Sequence, residues 1–272
     1  MNGDSMDRET RYSRYFTTAS ACMVYGFLLV PSIIVMLISL GLVSGPGAGH
    51  GMHPTLRLYY DFLSSPAWMA SVWHSALIAC VAMVLSLGIG MAATYGLERF
   101  DFRGKNVIRG MLMAPLAVPA IIISLGIYFY FSTIGLVNSF IGLILAHTVY
   151  VTPYVIMTLT AGIRKLDARL EFAAQLMGAG RQRVFWRVVL PQLRPSIIAS
   201  GLFALLMSFD EVVIAWFISG VQTETLPVRM YSSIQWEISP LIAVASTLLS
   251  VLSFFACIVA SRVRSADDEN TA

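Results

Sequence analysis

The chain has 272 residues, of which 57% are apolar and only 12% charged; its mean hydropathy is +0.74 and its formal net charge +3. A soluble globular domain is nearer a quarter charged, so this composition excludes a water-soluble enzyme or binding module. The charges are confined to a few places and leave six runs (about 20–44, 74–97, 110–132, 136–163, 196–220 and 239–261) long enough to cross a bilayer as helices, which takes roughly 20 apolar residues.

Residues 1–19 are expected to form a cytoplasmic segment ahead of a transmembrane domain at 20–263. The first apolar run outlasts the short core of a cleavable signal peptide, and no small-x-small site interrupts it, so it reads as a retained span. The connection Ser44–Trp73 opens on Gly45-Pro46-Gly47 and continues through Leu56–Leu63, whose helical apolar spacing fits a helix lying along the membrane surface. Within it, Arg57, Tyr59, Tyr60 and Asp61 suit either an interfacial belt or contact with a protein outside the membrane. Spans three and four are joined by a tight turn near Ser132–Gly135.

The fourth run carries His147 with Tyr150, Thr152, Pro153 and Tyr154, which predicts a polar, kinked middle. A lone histidine there fits an interhelical hydrogen bond better than a proton relay. Next comes a polar segment, Arg164 to Pro195, containing Glu171-Phe172-Ala173-Ala174-x-x-x-Gly178 and then Val188-Val189-Leu190-Pro191. The spacing predicts a short helix through Met177, a turn at Gly178 and Gly180 where positive φ is available, and a second helix with Phe185, Trp186, Val188 and Val189 on its apolar face. Pro191 and Pro195 are expected to end that helix and launch the fifth span. Two readings follow: a docking element for a partner protein, or an inward loop with two amphipathic helices on the membrane surface.

Asp210-Glu211 interrupts the fifth run. A carboxylate at mid-membrane costs roughly 2.5–3.5 kcal/mol on insertion scales, so such residues face a cavity or a partner. The pair lies about fourteen residues into the run, ~21 Å from its inner end at 1.5 Å per residue. It suits a path for a substrate with several ammonium groups, or hydrogen bonds to neighbouring helices. The last connection, Val221–Ser239, holds Glu224, Arg229, Trp236 and Glu237, with Trp236 read as a belt aromatic. The tail, 264–272, is expected to be disordered.

Sixteen of the eighteen Lys and Arg residues fall before span one, between spans two and three, between spans four and five, or after span six; only Arg57 and Arg229 do not. Positive loops stay in the cytoplasm, which places both termini and the 164–195 loop there. The charge therefore reflects topology and gives no reason to expect nucleic acid.

No catalytic, cofactor or metal constellation is present. Gly104-Lys105 lacks the earlier glycine of a phosphate-cradling loop. His50, His53, His74 and His147 have no paired ligand spacing, and Cys22, Cys80 and Cys257 have no redox spacing. Energy for any transport must come from a gradient or a partner. A gradient-driven transporter would show inverted repeats, and none is found.

The segment Glu171-Phe172-Ala173-Ala174-x3-Gly178-x9-Val188-x-Leu190-Pro191 resembles the EAA loop of bacterial ABC importer permeases. Ser75–Gly96, His147-Thr148 with Pro153-Tyr154, Ser208-Phe209-Asp210-Glu211, and Thr225-Leu226-Pro227-Val228 with Pro240 resemble the spermidine/putrescine branch; the resemblance covers about Leu56 to Arg262. It implies an all-α integral membrane protein of the type I ABC importer permease fold, with six transmembrane helices and both termini cytoplasmic. Its implied partners are a cytoplasmic ABC ATPase dimer that binds ATP and Mg, a second permease subunit that is a different chain, an external or periplasmic substrate-binding protein, and membrane lipid. The chain itself would be non-catalytic. Glu171, Phe172, Ala173, Ala174, Gly178, Leu190 and Pro191 would couple to the ATPase, while Asp210, Glu211, His147 and Tyr150 would line the substrate path. The cargo implied is a polyamine, with ferric iron, a phosphonate or a sulfate-like anion as the alternative cargo. In one departure, Phe172 stands where the motif has its glutamate. Adjacent helical side chains point about 100° apart, so Glu171 is no simple replacement.

Overall fold

The computed structural model describes residues 3–43, 55–236 and 239–270, and every regular element among them is helical. In chain order these are α1 (Gly3–Ser39), α2 (Arg57–Ser64), α3 (Pro66–Arg99), α4 (Lys105–Ala117), α5 (Ala120–Ile134), α6 (Phe140–Lys165), α7 (Ala168–Leu176), α8 (Arg181–Gln192), α9 (Arg194–Phe209), α10 (Val213–Ile218), α11 (Leu226–Trp236) and α12 (Leu241–Asn270). The Gly45-Pro46-Gly47 turn, His50, His53 and Glu237 lie outside the described residues, as does the side chain of Cys257.

The chain divides into two compact units. The first comprises residues 1–65 and 233–252. In it Thr247 Oγ1 donates to Ser39 Oγ (3.2 Å), which lies 2.9 Å from the Tyr59 hydroxyl, so one hydrogen-bond chain links α12, α1 and α2.

The second unit comprises residues 66–232 and 253–272. Its centre is α3 packed on α6, with α9 against both. The sequence explains the close approach: Ser75, Ala79, Ala82, Ser86 and Gly90 recur at three- and four-residue intervals and are all buried. Small side chains let apolar helices come close enough for dispersion contacts. Opposite them α6 presents Val151, Val155, Leu159 and Ile163, each fully buried. A Cβ on Gly90 would stand 2.6 Å from Val155 Cγ1, so only glycine fits that crossing. Ala174, Val184, Val189 and Leu193 join the same core, so the 164–195 loop is built into the helical bundle.

Among the described residues, three helices are long and apolar enough to cross a membrane (Ser20–Ser39, Pro66–Arg99 and Phe140–Lys165), or up to five spans if each bent pair counts as one. The expected uninterrupted runs 110–132 and 196–220 are corrected here. The former is broken between α4 and α5, which meet at 109°. Pro119 has no N–H to continue the ladder and pushes Val118 into extended backbone. The latter stops at Phe209, and helix resumes only at Val213. The tail expected to be irregular instead continues α12 to Asn270, because extending a formed helix adds one hydrogen bond per residue without a new nucleus.

Candidate functional site

The 164–195 loop forms two helical arms around a glycine turn. Asp167 caps α7, its Oδ1 accepting the Arg169 N–H at 2.9 Å. At the other end Gly178 has φ +85°. Its N–H bonds to Gln175 O (2.9 Å) and that of Ala179 to Ala174 O (3.0 Å), the paired bonds of a Schellman cap. The second arm does not end at Pro191. It runs on to Gln192 and opens into a π turn at Phe185–Val189. The proline ring would meet the carbonyl of Arg187 in a regular α-helix, and the wider turn relieves that clash. Gln192 Nε2 then donates to Val188 O at 2.7 Å. The chain bends by 72° at Leu193 into α9, with Pro195 in its first turn.

This geometry sorts the expected docking residues. Phe172 is 63% exposed and shares the outer surface of α7 with Ala173, Leu170, Leu176 and Met177; Gly178 is exposed beside them. Ala174 is buried, and Leu190 and Pro191 are half-buried. Glu171, only 8% exposed, turns inward. Its Oε1 lies 2.7 Å from Arg99 Nε, at an angle too sharp for a linear hydrogen bond, and Oε2 accepts from the Tyr95 hydroxyl at 3.3 Å. On the second arm Val184 and Val189 face the core, Phe185 meets the Tyr95 ring at 5.0 Å, and Trp186 is exposed. A second charge cluster ties the neighbouring helix ends, where Glu98 receives Arg109 at 2.7 Å and Arg164 at 3.1 and 3.2 Å.

The polar residues of the apolar bundle form a separate group. His147 is buried, with Nδ1 2.9 Å from Ser208 Oγ on α9 and Nε2 without a partner among the described residues. Tyr150, one turn along α6, neighbours Glu211 and stacks edge-on with Tyr154 at 5.9 Å. The acidic pair divides. Glu211 is buried and its Oε1 accepts the Ile214 N–H at 2.8 Å, fastening the start of α10, whereas Asp210, following the last residue of α9, is exposed.

For four residues that this geometry makes important, Arg99, Tyr95, Asp167 and Ser208, sequence reading assigns none of the contacts they make. Asp167 carries a legible signal, a capping residue before a helix-permissive stretch. Arg99 reads only as a topology marker, because its partner is 72 positions away in the chain.

The described residues thus form a bundle of apolar helices with two broken spans and a polar two-helix loop packed into its core. The chain belongs to the family of inner membrane components of binding-protein-dependent transport systems, whose model matches residues 85–265. It is thus a multi-pass bacterial inner membrane protein. It is similar to the spermidine/putrescine transport system permease protein PotC of Haemophilus influenzae, at 29% identity over 242 residues, covering 89% of this chain and 93% of that protein. It is also similar to the putrescine transport system permease protein PotI of Escherichia coli K12, at 34% identity over 200 residues and 71% of each chain. In fold it is similar to a chain from the crystal structure of a bacterial ABC transporter involved in import of the polysaccharide alginate. That match has a TM-score of 0.70 and 16% identity, covering 94% of this chain and 97% of that one.

Proposed function

We propose that this chain is the permease subunit of an ATP-driven polyamine importer, crossing the membrane six times with both termini in the cytoplasm. The observation that carries the substrate class is its similarity, over 89% and 71% of its length, to two permeases named for spermidine and putrescine transport. An exposed carboxylate at Asp210, beside a break in an apolar helix, supports a cationic cargo. In this reading Glu211, Tyr150 and His147 shape that part of the path.

The chain carries no phosphate-binding loop, so ATP and its Mg are handled by a partner ATPase dimer that receives the 164–195 loop. Phe172 and Ala173, with the exposed Trp186 on the second arm, supply the contact, and an apolar knob at Phe172 takes the place of the motif's glutamate. A short helix inserted in a groove is read through such side chains. A second permease chain completes the path, and an external binding protein delivers the cargo. Closure of the ATPase dimer moves the docked loops and reorients the spans.

Uptake of labelled putrescine and spermidine by cells lacking this chain tests the proposal. Uptake is expected to fall to background and to return with a plasmid copy, while iron, phosphonate and sulfate uptake stay unchanged. Polyamine uptake that persists while uptake of one of those other solutes is lost would refute the substrate class.

A further inference from the structure

We propose that α3 is a connecting rod between the ATPase-docking loop and the outer face, with Arg99 as its inner joint and Ser71, held by Arg229, as its outer joint. This rests on the docking reading above and adds positioning residues that touch neither ATP nor cargo.

Both arms of the loop rest on the last turn of α3. On α7, Glu171 meets Arg99 and Tyr95; on α8, Phe185 packs on Tyr95 and the Arg181 guanidinium lies 5.5 Å over Phe100. Arg99 also donates to Ile163 O at 3.4 Å, drawing in the end of α6. The Arg99 and Glu171 side chains are 18% and 10% exposed. Separating them would leave a carboxylate and a guanidinium poorly solvated, so a displacement of α7 carries the end of α3 with it.

The rod itself is one uninterrupted helix of 34 residues, Pro66–Arg99, about 50 Å long at 1.5 Å per residue. Its small-residue face is packed against α6, and close-packed interiors transmit displacement instead of absorbing it.

The far end is fastened as firmly. Ser75 Oγ accepts the Leu226 N–H at 2.8 Å, and Ser71 Oγ accepts Arg229 Nε at 2.7 Å. Arg229 pairs with Glu224 and lies 5.9 Å over the Trp68 ring, while His74 Nδ1 lies 3.1 Å from Glu224 O. Residues 224–229 are thereby pinned to the first turns of α3. One rigid element thus has joints at both ends, which is the physical requirement for coupling two distant sites.

The test uses the whole complex, purified through this chain and reconstituted in vesicles, reading ATP hydrolysis with and without the loaded binding protein. Arg99→Gln and Arg229→Gln are each expected to keep the ATPase bound and to keep unstimulated hydrolysis, while the stimulation falls about tenfold, an ordinary size for coupling between sites. The exchange Arg99→Glu with Glu171→Arg should recover most of the stimulation. The double variant Arg99→Gln/Arg229→Gln should be no worse than either single, because two residues acting through one element are not additive. Stimulation at the unsubstituted level in either single variant, or losses that multiply in the double, would overturn the rod. Should Arg99→Gln fail to assemble, the charge exchange and Arg229→Gln decide the matter. If the unsubstituted chain itself retains no ATPase, the docking reading falls instead.

Discussion

Asp210 and Glu211 are neighbours in sequence with different surroundings, and substituting them singly separates their roles. Asp210 is exposed at the break after α9, while Glu211 is buried with Oε1 accepting the Ile214 N–H at 2.8 Å. If Asp210 receives an ammonium group of the cargo, the loss is that of one charge-assisted hydrogen bond, about 1.5–3 kcal/mol. At 1.4 kcal/mol per factor of ten this is about a ten- to hundredfold loss of transport efficiency. Asp210→Asn should show that loss in labelled putrescine uptake by the reconstituted complex, with thermal stability in detergent unchanged. Glu211→Gln keeps a carbonyl oxygen for the Ile214 N–H and should stay close to the unsubstituted protein in stability. Glu211→Ala removes the cap and leaves a buried donor unpaired, at about 1–3 kcal/mol of stability. A fully active Asp210→Asn, or a Glu211→Ala as stable as the parent, would refute this division of roles.

Phe172 is exposed, so Phe172→Ala should leave the isolated chain as stable as before, within about 0.5 kcal/mol; retention of the ATPase on co-purification should drop. Gly178→Val places a β-branched residue at φ +85°, costing at least the roughly 1–2 kcal/mol of left-handed backbone; limited proteolysis should cut the 164–195 loop faster, with α3 and α6 still protected. Gly90→Leu should lower the melting temperature through a clash with the fully buried Val155, about 1–3 kcal/mol of overpacking, and Val155→Ala in the same chain should recover part of it. Ser208→Ala removes the partner of His147 Nδ1 and should destabilise the bundle by about 1–3 kcal/mol, measured by thermal unfolding in detergent.

The runs of apolar residues were sufficient to identify a multi-pass helical membrane protein, because the bilayer demands about 20 apolar residues per crossing whatever the packing. The pattern of glutamate, small residues, Gly178 and Pro191 was likewise sufficient to mark two short helices about a turn, since positive φ and a missing N–H are local properties. Local chemistry did not reveal where each chain break falls. Pro191 is absorbed by a π turn while the bend falls at Leu193, and that choice depends on Val189 and Leu193 being buried in the core shared with α6.

Direction, too, was decided only in three dimensions. Glu171 and Phe172 are adjacent letters of one motif, yet one is drawn into the fold and the other left on its surface. Helical geometry separates adjacent side chains by about 100° without saying which one faces inward. Arg99 and Tyr95, brought beside α7 by the packing of α3 on α6, settle it, because a carboxylate leaves water readily only where a cation and a hydroxyl await it.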